Sequence, residues 1–380
     1  MTTPAQRCDE VVISGSGLWT PEHVVTNEEL VIALNAYADR FNETYKAEIE
    51  AGEREPVMRS DPEFIHKASG IRQRHVYVKD GILDIDVMRP LIPERGEDEL
   101  SHQAEIALAA ARDALEQSGR EAADIDAVIV SCAYTQRAYP AIAIEVQHAL
   151  GIEGFGFDML VACSAATFAL HRAYEMVSSG TARAVLVINP ELVSPQVNYR
   201  DRDSHFIFGD VATAVVIERG DTAVSEHQYR ILGTRARTQY ANTIRSNFGY
   251  MSHAYGGDPF APDKLFHQEG RAVFRDVCPM AAEHIRGHLE QHELQPSNVR
   301  RWWLHQANLN MNQLIAKKLL GRVPEESEAP IVLDRYANTA SAGSIIAFHL
   351  HNKDLQAGEQ GVICSFGAGY SIGSLILEKR

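Results

Sequence analysis

A rhythm constrains this chain more than any single motif does. Short apolar runs of strand length alternate with longer stretches of helical period, and a similar order of elements comes round twice. In the first half, strands are expected at Val11–Leu18, Ala127–Ser131, Gly156–Met159, Ala184–Ile188 and Ala212–Ile217. Helices are expected over Ser101–Gln117 and Ala141–Leu150, and from about Cys163 onward. In the second half, strands are expected at Tyr229–Gly233, Trp302–His305, around Ile331, at Val362–Ser365 and at Ser371–Leu377. Its helices fall at Arg271–His292, Leu309–Leu320 and Ser341–His351. Runs such as AVIVS are apolar at successive positions, so both faces of such a strand need a cover, and alternating helices supply it. The pattern predicts an α/β layered fold of two duplicated halves, residues 1–220 and 221–380. That division rests on element order, since no sequence repeat is visible.

One segment breaks the rhythm. Residues 35–100 are rich in Glu, Arg, Asp and Pro and carry only short apolar runs. They read as a partly helical excursion over the core, anchored by Phe64, Ile65, Ile71, Val76 and Tyr77. Just before it, Thr26 is a candidate N-cap for a helix from Asn27 to about Ala36. Gly15-Ser16-Gly17 follows a strand but lacks the third glycine of a dinucleotide fingerprint, and Pro21 interrupts the helix that should follow. A tight turn is the better reading.

Charge and cysteine usage exclude several classes. The 380 residues carry a formal net charge of −15, which argues against broad nucleic-acid binding because phosphates need a basic footprint. No run approaches the ~20 apolar residues of a membrane span. Met1–Val12 shows no basic-then-apolar leader. The 5 cysteines include no C-x-x-C pair, so a structural zinc site is not expected, and their odd number fits reduced thiols in the cytoplasm.

Among these cysteines Cys163 is distinct. It follows the strand GFDML and opens a run of small residues at a helix start. There, unpaired N–H groups and the helix dipole favour a thiolate. His305 ends the strand WWL, where α/β sheets face their ligands. Asn338 lies in a turn-like segment before a helix. Phe366-Gly367-Ala368-Gly369 is a small-residue loop able to offer backbone N–H groups to an oxyanion. Each is weak alone. Together they supply a nucleophile, two donors and an oxyanion hole. A papain-like protease also uses Cys, His and Asn, but Cys163 lies mid-chain and outside the C-G-[SA]-C-[WY] context.

These segments make the chain recognisable. It resembles the β-ketoacyl-acyl-carrier-protein synthase III family of the thiolase-like superfamily. The resemblance runs through GSGLWTPEHVVTNEEL, SGIRQRHV, AYPAIAIEVQHALG, GFDMLVACSAATFAL, RDRDSHFIFGD, EGRAVF, LHQANLNMNQLIAKKL, DRYANTASAGS and SFGAGYSIGS. It implies a five-layer αβαβα fold, a homodimer, no metal and no redox cofactor. The implied catalytic triad is Cys163, His305 and Asn338. Cys163 would take an acyl group from acyl-CoA, malonyl-ACP would lose CO2, and the carbanion would attack the acyl-enzyme to give a 3-oxoacyl-ACP. Ala368 would complete the oxyanion site, and Phe366 would lie beside the triad. The CoA channel would include Phe64, Arg202, Gly270 and Arg271, with Ala68 standing where an arginine is common. Tyr139 would reach the partner's acyl pocket.

A basic patch of Arg271, Arg275, Lys317 and Lys318 is the candidate surface for acidic ACP. The long 35–100 excursion and the VACSAATF context resemble a branch primed by medium-chain acyl-CoA such as octanoyl-CoA. A short-chain (acetyl-CoA) primer and a condensing enzyme of secondary metabolism stay open as alternatives. A non-catalytic CoA- or ACP-binding module fits less well with an intact triad. A degradative thiolase, with Cys364 as second cysteine, fits less well with that residue's place in a strand.

Overall fold

The structure, a computed structural model, describes residues 7, 8 and 10–380. Much of the amino-terminal stretch read above for a leader lies outside the described residues. The strands are β1 (Val11–Trp19), β2 (His23–Thr26), β3 (Gln73–Val76), β4 (Ala127–Cys132), β5 (Phe155–Leu160), β6 (Ala184–Glu191) and β7 (Val211–Arg219). They continue as β8 (Tyr229–Arg237), β9 (Ile244–Ser246), β10 (Phe266–Gln268), β11 (Val299–Leu304), β12 (Gln360–Gly367) and β13 (Ser371–Lys379). The helices are α1 (Asn27–Thr44), α2 (Lys46–Glu50), α3 (Pro62–Ser69), α4 (His102–Ser118), α5 (Ile142–Leu150) and α6 (Ala165–Ser178). They continue as α7 (Tyr250–Ala254), α8 (Gly270–Gln291), α9 (Leu309–Leu320), α10 (Leu333–Tyr336) and α11 (Gly343–Leu350).

Nine strands form one sheet in the order β11-β12-β13-β8-β1-β7-β6-β4-β5. The order mirrors itself about the seam between β8 and β1. Outward on one side β7 and β6 each pair antiparallel with the strand before, and β4 then lies parallel to β6. On the other side β13 and β12 pair antiparallel and β11 lies parallel to β12. The seam itself is short, with Val12 opposite Arg230 and Ile13 opposite Tyr229.

Period-two alternation of side chains explains the layers. Along β6, Val185 and Val187 face a central layer with α6 and α11, while Ala184, Leu186 and Ile188 face α4 and α5. In β13, Leu375 and Leu377 face the same central layer, and Ile372 and Ile376 face α8 and α9. The two halves of this one sheet each turn a face to the central layer, giving helix, sheet, helix, sheet, helix, the five-layer arrangement expected.

Three readings of the sequence change here. Gly15-Ser16-Gly17 is no turn. It lies inside β1, where a Cβ would sit 2.3 Å from the Ala114 carbonyl at Gly15 and 2.0 Å from the Ala110 carbonyl at Gly17. The glycines let the α4 backbone press directly on the strand. The strand expected around Ile331 does not form. Pro330 has no N–H to give, and the Val332 and Leu333 N–H groups both donate to Gln306 Oε1, at 3.0 and 3.3 Å. The helix expected to stop near Ala36 runs on to Thr44, started by a full capping box between Thr26 and Glu29.

The 35–100 segment covers one end of the sheet. Ile65, Ile71 and Val76 are fully buried in a cluster with Phe206, Phe208 and Phe266, while Phe64 and Tyr77 are partly exposed. Arg74 ties this cover down. It is 2% exposed and donates to the Val25 carbonyl at 2.9 Å, Asn27 Oδ1 at 2.8 Å and the Phe206 carbonyl at 3.1 Å.

Candidate active site

Under this cover lies a cavity of about 620 Å³, within the usual range for small-molecule sites. Cys163, His305, Asn338, Phe366 and Gly367 line it, with Phe64, Gly270 and Arg271 toward the mouth. The sequence scatters these residues over two halves, and the mirrored sheet gathers them at one end.

Cys163 sits in a tight 3-10 turn, Ala162–Ser164, that leads into α6. Its neighbour Ala162 has φ of +44°, a left-handed conformation that a non-glycine residue holds only where the surroundings over-determine it. Opposite stands Gly367, where a Cβ would lie 2.6 Å from Cys163 Cβ and 3.1 Å from Cys163 N. Only glycine permits that approach. The thiol does not show the lowered pKa expected from its place before a helix. Burial, and next the charge of Glu191, push it up to about 12, while backbone N–H groups of Cys163 and Ala368 pull the other way.

His305 is 1% exposed, and burial pushes its pKa down to about 3. The ring is therefore neutral at physiological pH. Its backbone N–H donates to the Cys364 carbonyl at 2.8 Å, and its ring meets Phe366 edge-on at 5.2 Å and 86°. Nδ1 is buried without a partner. Asn338 is 4% exposed, and its Oδ1 accepts the Ala340 N–H at 3.0 Å. That bond fixes the amide's orientation and keeps Nδ2–H free of it. Ala337 and Ala340 flank Asn338 with φ of +57° and +47°, so this turn is strained as well.

The remaining expected residues are placed as follows. Arg202 stands behind Phe64, its guanidinium 3.6 Å from the ring centroid and its Nε bonded to the Arg59 carbonyl at 2.8 Å. It does not line the cavity. Tyr139 is on the surface, 85% exposed and away from the cavity. Arg275 is exposed but paired with Asp276 at 2.7 Å, so it offers less free charge than its sequence position suggests. Lys317 and Lys318 are exposed in the last turn of α9, whereas the cavity meets that helix at its first turn, through Asn308, Asn310 and Met311. The span is roughly 10 Å at 1.5 Å per residue.

Reading the sequence for reacting groups missed three supporting residues. Gln306 donates to the Leu304 carbonyl at 2.8 Å and receives the two N–H groups that stop Ile331 from joining the sheet. Asn308 caps α9, accepting Asn310 N–H at 2.9 Å and Met311 N–H at 3.3 Å, and donates to the Ala68 carbonyl at 2.7 Å. The H-Q-A-N run thus carries one ring for the cavity and two amides that frame it. The third is Glu191 at the end of β6, 1% exposed, whose only sequence signal is an acid inside an apolar strand.

The five-layer fold, with a cysteine, a histidine and an asparagine meeting under one cover, defines a thiolase-like acyltransferase. Residues 157–239 match the family model of 3-oxoacyl-[acyl-carrier-protein] synthase III, and residues 289–379 match its C-terminal model. The chain is 56% identical over 348 residues to a beta-ketodecanoyl-[acyl-carrier-protein] synthase of Pseudomonas aeruginosa, covering 92% of this chain and 99% of that protein. It is 29% identical over 376 residues to a beta-ketoacyl-[acyl-carrier-protein] synthase III of Methylococcus capsulatus, covering 96% and 98%. Among solved structures, the priming beta-ketosynthase of the R1128 polyketide pathway superposes with a TM-score of 0.76 at 25% identity, covering 100% of this chain and 98% of that one. The 3-oxoacyl-[acyl-carrier-protein] synthase III of Aquifex aeolicus gives 0.74 at 24% identity, covering 97% and 99%, and supports the fold. The chain belongs to the 3-oxoacyl-[acyl-carrier-protein] synthase III family. Among its described residues no helix is long and apolar enough to cross a membrane.

Proposed function

We propose that this enzyme condenses a medium-chain acyl-CoA, octanoyl-CoA in the first instance, with malonyl-ACP to give 3-oxodecanoyl-ACP, CoA and CO2. The observation that carries the chemistry is the convergence of Cys163, His305 and Asn338 on one cavity across a glycine that lets the loop touch the nucleophile. The chain length rests on the 56% identical relative, whose name gives a ten-carbon product. Malonyl extension adds two carbons, so the primer has eight.

In the first half-reaction Cys163 Sγ attacks the thioester carbonyl, and its proton ends on the departing CoA sulfur. The oxyanion forms against the N–H groups of Cys163 and Ala368, and CoA leaves as the thiol. Losing one such donor costs roughly 10²–10³ in rate. In the second, malonyl-ACP loses CO2 and the electron pair passes to the thioester oxygen. His305 and Asn338 Nδ2–H donate to that oxygen. A neutral imidazole suits the task, because it donates from Nε2 without surrendering the proton to the enolate. The carbanion then attacks the acyl-enzyme and expels Cys163.

Phe64, Gly270 and Arg271 would guide the pantetheine, and Arg202 would hold Phe64 in place. Arg271, Arg275, Lys317 and Lys318 would receive ACP. A homodimer would carry each Tyr139 to the partner's acyl pocket, which is consistent with its exposure. The halves 1–220 and 221–380 would descend from one duplicated unit, in keeping with the mirrored strand order. The reading puts the enzyme in the cytoplasm, supported by its free thiols.

Incubation with acyl-CoAs from C2 to C12, followed by intact-protein mass spectrometry, tests the assignment. A Cys163 adduct forming fastest with C8 is expected. Labelling by acetyl-CoA alone would sink the medium-chain reading, and labelling that persists in Cys163→Ala would sink the nucleophile.

A further inference from the structure

Glu191 is an acid with no assigned task. It ends β6, is 1% exposed, and both its carboxylate oxygens are engaged. Oε2 accepts the Ala133 N–H at 3.0 Å. Oε1 accepts the Ser341 N–H at 3.0 Å and the Ser341 hydroxyl. Ala133 follows β4. Ser341 follows Ala340, one of the strained residues that flank Asn338. The 3-10 turn bearing Cys163 packs against the turn bearing Ser341. One carboxylate therefore ties together the end of β4, the Asn338 turn and, through packing, the Cys163 turn.

Among the described residues no cation hydrogen-bonds or ion-pairs with it. The titratable groups that interact with it are Asp210, Cys132, Tyr134 and Cys163. Asp210 is satisfied separately, by the N–H groups of Tyr77, Val193 and Ser194 and the Ser194 hydroxyl. A buried carboxylate held only by neutral donors is costly to keep, and an apolar contact would serve packing alone better.

We propose that Glu191 is a positioning residue for the condensation described above: it holds the Asn338 turn against the Cys163 turn, and its negative charge adds to burial in keeping Cys163 a thiol. The role rests on the reading of Cys163 as nucleophile, yet its test does not need turnover. Burial and the nearby Asp210 push the Glu191 carboxyl up to about 7, so its charge is adjustable in the range where the enzyme works. Ser341 opposes that shift by its two hydrogen bonds.

The experiment follows iodoacetamide alkylation of Cys163 in the full-length protein from pH 6 to 10, with the adduct located by peptide mass spectrometry. In Glu191→Gln the alkylation rate at pH 8 should rise roughly tenfold, the equivalent of a one-unit fall in thiol pKa. Glu191→Asp should stay within about twofold of wild type. A Gln variant whose rate–pH curve overlays that of wild type overturns the proposal, as does an Asp variant as fast as the Gln variant. Should Glu191→Gln fail to fold, Ser341→Ala decides the matter. Losing its hydroxyl raises the proton affinity of Glu191, removes charge near neutral pH and should raise the alkylation rate there, and an unchanged rate overturns the proposal. Acylation of wild type by octanoyl-CoA is measured alongside. Its absence would count against the proposed substrate and leave the alkylation comparison standing.

Discussion

At the scale of single residues, the candidate reacting groups were more legible than their electrostatics. A cysteine after a strand, a histidine at a strand end and an asparagine before a helix could be picked out by position. The direction of the thiol's pKa could not, because it depends first on burial and then on Glu191, which lies 28 residues further along the chain at the end of β6. A helix start favours thiolate, but here burial and a neighbouring acid outweigh it. Gly367 makes the sharpest residue-scale prediction. In Gly367→Ala the new methyl would press on Cys163 from 2.6 Å, forcing the Cys163 turn or the Phe366–Gly369 loop to retreat. Misplacement of this order costs a hundredfold or more in catalysis. We expect kcat/KM to fall by at least that factor while the circular-dichroism spectrum is unchanged, and near-normal turnover would refute the close-approach argument.

At the scale of elements, strands and helices of the layered core were readable because alternation and caps are local. What was missed depended on distant partners. Ile331 has strand-like composition, yet Gln306 takes the N–H groups that a ladder would need. Neither the Asn308 cap of α9 nor its second bond, to Ala68 on α3, was read from the sequence. Two substitutions separate those jobs. Asn308→Ala should lose cap and clamp together, lowering stability by about 1–2 kcal/mol and raising KM for acyl-CoA several-fold. Asn308→Asp keeps the capping oxygen and loses only the Nδ2 donor, so it should recover the melting temperature and retain the raised KM. If the Asp variant recovers both, the bond between α3 and α9 does not shape the cavity mouth.

At the scale of the whole molecule, the expectation of two similar halves said nothing of how thin the β8–β1 seam of the sheet would be. The ladder between them is confined to Val12–Arg230 and Ile13–Tyr229, so cohesion comes from the shared central layer of α6 and α11. Buried histidines make this packed body acid-sensitive. Burial lowers His284 to about 4, His288 to about 3 and His305 to about 3, and all of them are neutral in the fold. The unfolded chain binds protons at these sites near pH 6.5, before the folded chain can. Stability from these groups is therefore complete above about pH 6.5 and is lost as pH falls toward 4. Glu191, raised to about 7, acts in the opposite sense but is a single group. Scanning calorimetry should show a melting temperature nearly flat from pH 8 to 7 and falling by several degrees between pH 6.5 and 5. A flat profile through pH 5 would mean these histidines are solvated in the native protein.

The distribution of thiols has a practical consequence. Cys8, Cys132, Cys278 and Cys364 are buried, and only Cys163 borders open space. To a bulky thiol reagent the folded chain is a one-cysteine protein, and on losing its fold it becomes a five-cysteine one. A single titration of accessible sulfur thus reports site occupancy and unfolding on the same scale. Below one equivalent it counts chains blocked at Cys163, and above one it counts chains that have come apart.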